Sequence, residues 1–117
     1  MTPDKGGRPK GGAEEFDGLR RVLLHLVCRW EVFYQGKTGP RIGELLRMVR
    51  ILYGVSYPHV TIGRQADHLV TEGMLSVHEE GDEFTKGKVY RSTERGHDEW
   101  MQMLASGIPV LGVTETG

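Results

Sequence analysis

The spacing of the apolar residues changes at Gly73, and that change limits the folds open to this chain. Before it the period is helical. Phe16, Leu19, Leu23, Leu26, Trp30 and Phe33 recur at alternating steps of three and four, a single stripe that Val22 and Val27 widen. This predicts a helix from Ala13 to Tyr34, ended by Gly36 to Pro40. A second helical pattern opens near Arg41, sets Ile42, Leu45, Leu46, Val49 and Leu52 on one face, and stops at Gly54, a candidate left-handed C-cap. Pro58 follows Ser56 and Tyr57 and suits the first turn of a third helix. That helix turns Ile62, Ala66, Leu69 and Val70 inward and ends at Gly73. After Gly73 the period becomes two. Met74 to His78 and Lys88 to Ser92 alternate as strands, joined by the polar stretch EEGDEFTKG, a long hairpin loop. Thr93 is a good N-cap, and Glu94 adds an anion to the first turn of a fourth helix reaching about Ala105.

The order helix, helix, helix, strand, hairpin, strand, helix predicts an α+β fold of winged helix-turn-helix type. It has a three-helix core, a β-hairpin wing that covers the core's open side, and an additional C-terminal helix. A chain of 117 residues suffices for one such core. The fold would occupy residues 14–105. Residues 1–13, MTPDKGGRPKGGA, read as a flexible basic arm, because Gly and Pro dominate and apolar side chains are nearly missing. Residues 106–117 form a partly apolar tail, either a dimer contact or a segment that folds back on its own subunit. The short connection after the second helix makes the second and third cross steeply, which exposes the outer face and N-terminal end of the third.

Composition adds constraints on function. Hydrophobic residues at 38% and charged residues at 26% are ordinary for a globular chain. Net charge is −1, yet it is unevenly spread: residues 1–64 carry eleven basic and six acidic side chains, net +5, whereas residues 65–117 are net −6. A molecule of this kind can offer one face to a polyanion while its total charge stays near zero. The longest apolar run, Val22 to Cys28, is too short to span a bilayer, and the polar N-terminus predicts no signal peptide. A single cysteine excludes an internal disulfide framework and fits a reducing, cytoplasmic compartment.

The stretch TIGRQADHLVTEGMLSV, Thr61 to Val77, resembles the recognition helix and first wing strand of winged-helix transcription regulators of the MarR type. Their pattern runs roughly T-V-S-R-x-V-x-x-L-x-x-x-G-L-I. Thr61, Ile62, Arg64, Ala66, Leu69, Gly73 and Leu75 match it, and Gly63 stands where Ser is usual. The later stretch KVYRSTERGHDEW is similar to the Y-x-L-T-x-x-G signature that closes the wing in the MarR and PadR families. Tyr90, Thr93 and Gly96 match, and Ser92 replaces Leu. The resemblance implies double-stranded DNA as partner, the third helix in the major groove, and a wing whose basic tip reaches the minor groove. It is more specific for fold than for function, since winged helices also serve as protein-protein modules.

The side chains themselves fit that expectation. With Ile62, Ala66 and Leu69 inward, Tyr57, His59, Thr61, Arg64, Gln65 and His68 are expected to face outward. Arg can bond guanine bidentately, Gln can bond adenine, and a Thr methyl can touch a thymine methyl, so Thr61, Arg64 and Gln65 are the candidates for base edges. Tyr57 and His59 are placed nearer the backbone, as are Lys37, Thr38 and Arg41 around the start of the second helix. A solvated polar face with no ligand is the plainer reading of the same residues. The wing is less regular, because Glu79, Glu80, Asp82 and Glu83 precede Lys86, Lys88 and Arg91. Either only the basic side approaches DNA, or the wing contacts a protein. In the arm, Gly7-Arg8-Pro9-Lys10 looks like the core of an AT-hook, in which Arg8 and Lys10 lie in a narrow minor groove; a plain leader is the alternative.

Apolar residues are in excess at both ends of the fold. Phe16, Leu23, Trp30, Phe33 and Tyr34 on the first helix, with Trp100, Met103 and Leu104 on the fourth, are expected to build a homodimer interface, and a dimer reads a two-fold site. No P-loop, G-x-S-x-G or dinucleotide fingerprint is present, so the chain is not expected to be an enzyme or to carry a cofactor. His25 with Cys28, and His78 with Glu79 and Glu80, lack the further ligands of a structural zinc site. Cys28 on an apolar stripe reads as core, although some regulators of the resembling type use a first-helix thiol for redox sensing. The sequence therefore predicts a dimeric DNA-binding repressor. A winged-helix protein adaptor, and a plasmid or viral accessory protein for replication or partition, are the alternatives.

Overall fold

The first apolar stripe becomes the central helix of the molecule. The structure, a computed structural model, describes residues 16–109 and residue 111. Helix α1 (Asp17–Phe33) buries every residue from Val22 to Cys28, because α2 (Ile42–Tyr53), α3 (His59–Thr71) and α4 (Glu94–Ala105) all pack around it. Burial of Leu19, Leu23, Leu45, Val49, Ile62 and Leu75 supplies the bulk of the driving force, at about 25 cal/mol per Å² of apolar surface removed from water. Strands β1 (Leu75–Glu80) and β2 (Gly87–Ser92) form an antiparallel hairpin in the register Leu75 opposite Ser92 and Glu80 opposite Gly87. Among the described residues the architecture is α+β, four helices and a two-stranded hairpin, in an order compatible with a winged helix. Among the described residues no helix is long and apolar enough to cross a membrane.

Local signals end the elements where they should. Gly54 closes α2 with φ at 72°, a left-handed position that costs glycine little. The Glu44 carboxylate accepts from the Arg41 N–H at 2.8 Å at the start of α2. Pro58 precedes α3 as its cap, and its carbonyl accepts from the amides of Thr61 and Ile62. Thr93 caps α4 by accepting from the Gly96 N–H at 3.0 Å. Gly96 is obligatory for a separate reason: a Cβ there would lie 1.9 Å from the Met74 carbonyl oxygen.

The hairpin loop departs from the sequence expectation, and the tail takes one of its two expected courses. The hairpin loop is shorter, because β1 runs on through Glu79 and Glu80. Glu79 pairs in register with Lys88, both exposed, and at this outer end of the ribbon backbone pairing and cross-strand charge complementarity stand in for apolar burial. The tail also turns back on its own subunit. Pro109 and Leu111 are buried, and the Tyr53 hydroxyl donates to the Pro109 carbonyl at 3.1 Å.

Candidate nucleic-acid interface

Helix α3 hydrogen-bonds its own backbone, so its outward side chains are left to interact with whatever approaches. His59, Val60, Arg64, Asp67 and His68 are exposed, and Gly63 and Thr61 are half-buried. His59, Val60, Gly63, Arg64 and Asp67 surround a shallow depression of about 300 Å³. Nothing lies within 4 Å of where a Gly63 Cβ would stand, so the helix surface is open there. The Arg64 guanidinium and the His59 ring have no partner among the described residues. His68 Nε2 lies 3.2 Å from Glu72, a pair along the helix surface.

Gln65 corrects the expectation. It is 7% exposed, and its amide oxygen accepts from Arg20 Nη1 at 2.8 Å. The reason is helical geometry: Gln65 follows Ile62 by three residues and precedes Leu69 by four, so it shares their inward stripe. That spacing was legible, but residue type outweighed it. Tyr57 is also less available than expected, half-buried with its ring edge-on to Phe16 at 6.5 Å. Val60 and Asp67, which the sequence reading passed over, sit on the open face instead. Val60 is 60% exposed, and Asp67 accepts from the Tyr90 hydroxyl at 2.9 Å. Burial, together with Asp67, pushes the Tyr90 hydroxyl up to about 12, so it remains a donor that ties α3 to β2.

The wing corrects three further assignments. Arg91 donates through Nε and Nη2 to Glu80 Oε2 at 2.8 and 2.6 Å, through Nη1 to the Gly36 carbonyl, and through Nη2 to the Lys37 carbonyl. Arg41 Nη2 donates to the carbonyls of Glu80 and Thr85 at 3.2 and 2.6 Å. Thr38 Oγ1 donates to Glu80 Oε1 at 3.2 Å. These side chains form a bracket between the α1–α2 loop and the hairpin, and those donors are not free for phosphates. Arg91 beside it holds the Glu80 carboxyl below the usual carboxylate range, with Thr38 adding to the effect. The bracket is seated by Gly39, where a Cβ would lie 2.1 Å from the Tyr90 carbonyl oxygen, and by the Tyr90 N–H donating to the Pro40 carbonyl at 2.9 Å. Lys37, Lys86 and Lys88 stay exposed, Lys86 at 3.8 Å from Glu79. At the tip the Asp82 carboxylate accepts from the amides of Phe84 and Thr85 and from the Thr85 hydroxyl, which holds it below its ordinary range.

The expected dimer residues divide. Leu23, Trp100 and Met103 are core and are not available to a partner. Trp100 is held inside because its indole N–H needs an acceptor and finds His25 Nδ1 at 2.9 Å. Phe16, Trp30 and Leu104 are half-buried, whereas Phe33 at 76% and Tyr34 at 42% remain exposed. Cys28 is fully buried, and burial plus the nearby Glu31 carboxylate push its thiol up to about 12, which removes the thiolate a redox sensor needs. Among the described residues no group of three His, Cys, Asp or Glu could hold a metal ion. Arg8 and Lys10 lie outside the described residues. No family model matches this chain, and no curated protein matches it either.

Proposed function

We propose that this chain is a winged-helix regulator that binds double-stranded DNA sequence-specifically, with α3 in the major groove, and that it acts in the cytoplasm as a dimeric repressor. The observation that carries the reading is the open face of α3, where Arg64, with no partner among the described residues, and an exposed Val60 flank Gly63. An arginine free of internal partners can form the bidentate pair with guanine O6 and N7, and an exposed apolar side chain can meet a thymine methyl. Lys37, Lys86 and Lys88 are left to approach phosphates, each adding to the salt dependence of affinity. Exposed Phe33 and Tyr34 support pairing of two copies at the end of α1.

The test is selection of duplexes from a random library, followed by a salt titration of the winning duplex against a scrambled one. Enrichment of a two-fold site, with Arg64→Ala relaxing the preference at one position in each half, is the expected outcome. Equal affinity for all duplexes, or no binding at low salt, overturns it.

One observation favours a second reading, that of a protein adaptor. Phe84 is 91% exposed at a hairpin tip that also carries Asp82 and Glu83. An aromatic ring beside carboxylates repels phosphate and suits a basic protein surface. Retention of DNA affinity in Phe84→Ala, with loss of a captured protein partner, would assign the tip to that second role.

A further inference from the structure

An acid on a face that meets a polyanion needs a reason, and the surroundings of Asp67 supply one. Val60, Gly63, Arg64 and Asp67 are three or four residues apart, so they lie together on one side of α3. With His59 they surround the depression of about 300 Å³. Nothing lies within 4 Å of where a Gly63 Cβ would stand, so no neighbour inside the protein requires a glycine there. A glycine inside a helix nevertheless lowers stability relative to alanine. Asp67 is the one acidic residue among the described lining residues. Its Oδ1 accepts from the Tyr90 hydroxyl at 2.9 Å, and Tyr90 is only 2% exposed, so the carboxylate is held by a fixed post. The other carboxylate oxygen, Oδ2, has no partner among the described residues. Arg64, at the right spacing for an ion pair along the helix, makes none with Asp67. The face thus presents a donor-only group and an acceptor-only group side by side.

In the major groove guanine shows two acceptors, N7 and O6, and cytosine shows an amino donor, N4. Adenine also has an amino group, but its N7 acceptor stands beside it and would face the carboxylate. Three residues advance about 4.5 Å along a helix and one base pair about 3.4 Å along DNA, so Arg64 and Asp67 suit neighbouring pairs. We propose that the depression around Gly63 selects cytosine, with Asp67 accepting from its N4 amino group in the base pair next to the guanine that Arg64 takes. Tyr90 is the positioning residue, and Gly63 lets the base edges approach the helix. The inference rests on the DNA-binding reading of α3 and adds the base that this face selects. The carboxylate also repels the phosphates of a duplex that offers no amino group, which raises specificity by weakening the wrong complexes.

The experiment measures binding of the full chain to the duplex enriched from a random library, and to versions exchanged at the pairs flanking the Arg64-dependent position. The parent should prefer cytosine over thymine at one flank by about tenfold, since thymine puts its O4 acceptor where the amino group stood. Asp67→Asn keeps an oxygen for the Tyr90 hydroxyl and turns the other atom into a donor, so the melting temperature should hold. The cytosine preference should then be lost or reversed, and affinity for a scrambled duplex should rise. Tyr90→Phe releases the carboxylate, and the cytosine-to-thymine ratio should fall. A merely structural Tyr90 would lower the melting temperature and leave that ratio unchanged. Gly63→Ala should raise the melting temperature and weaken the enriched duplex by about tenfold, because the added methyl group blocks the approach. A cytosine preference that survives Asp67→Asn or is indifferent to Tyr90→Phe, or full affinity in Gly63→Ala, overturns this inference and leaves the DNA-binding reading standing. Enrichment of no duplex at all overturns both.

Discussion

The outer face of α3 and the hairpin carry the same kinds of side chain and use them in opposite ways. On α3, Arg64 and His59 have no partner among the described residues. In the hairpin and the α1–α2 loop beside it, Arg41, Arg91, Thr38, Glu80, Asp82 and Thr85 are spent on one another and on the carbonyls of Gly36, Lys37, Glu80 and Thr85. The cause lies in the backbone. An α-helix pairs its own N–H and C=O groups, so its side chains carry no structural debt. A two-stranded ribbon and the loop beside it leave carbonyls unpaired, and nearby guanidinium groups fill them. Arg64 is thus open to a ligand on a helix face, whereas Arg41 and Arg91 are struts between a loop and a ribbon.

The comparison can be broken at its strongest point first. Gly39→Ala puts a methyl group against the Tyr90 carbonyl and should cost about 3 kcal/mol of stability in urea unfolding, as overpacking against rigid backbone does. Parental stability in that variant would mean that the loop is not seated on β2. Next is Arg64→Ala, expected to weaken the selected duplex by about 2 kcal/mol, or about thirtyfold, with an unchanged melting temperature. A fall in melting temperature would show that the face is not free. Its neighbour should behave in the reverse sense. Gln65→Ala removes the bond to Arg20, so about 1 kcal/mol of stability goes, while affinity per folded molecule stays the same.

The smallest effect concerns pH. The folded Glu80 carboxyl is held low by Arg91, so its contribution is fully present above the ordinary carboxylate pKa and is lost as pH falls through the depressed folded value. Both partners are near the surface, so the effect should be under about 1 kcal/mol. The protection factors of the Tyr90 and Val89 amides, exchange rates taken relative to the free-chain rate at each pH, should therefore fall in acid for the parent. In Glu80→Gln this acid step should be missing, and exchange should be faster already at neutral pH.

The same contrast explains what was readable. Helix ends at Gly54 and Thr93, the hairpin after Gly73 and the apolar stripes all rest on neighbours within a few residues, and the structure has them. Gln65 lies inward although it is polar, because its position on the Ile62–Leu69 stripe decides where it points. Val60 and Asp67 stand on the open face although neither residue type signals a nucleic-acid contact in the sequence. Arg41 and Arg91 could not be assigned from sequence at all, since the carbonyls they donate to lie 39 to 55 positions away.

Local pattern alone determined the element order, the caps and the faces of the helices, because capping and periodicity act over one or two turns. Tertiary structure decided which polar groups remain available. It spent Arg41 and Arg91 on the hairpin, enclosed Trp100 against His25, and folded the tail onto Tyr53. The physical reason is that a hydrogen-bonding group takes whichever partner the packed elements bring to it, and that encounter has no signature in the spacing of residues along the chain.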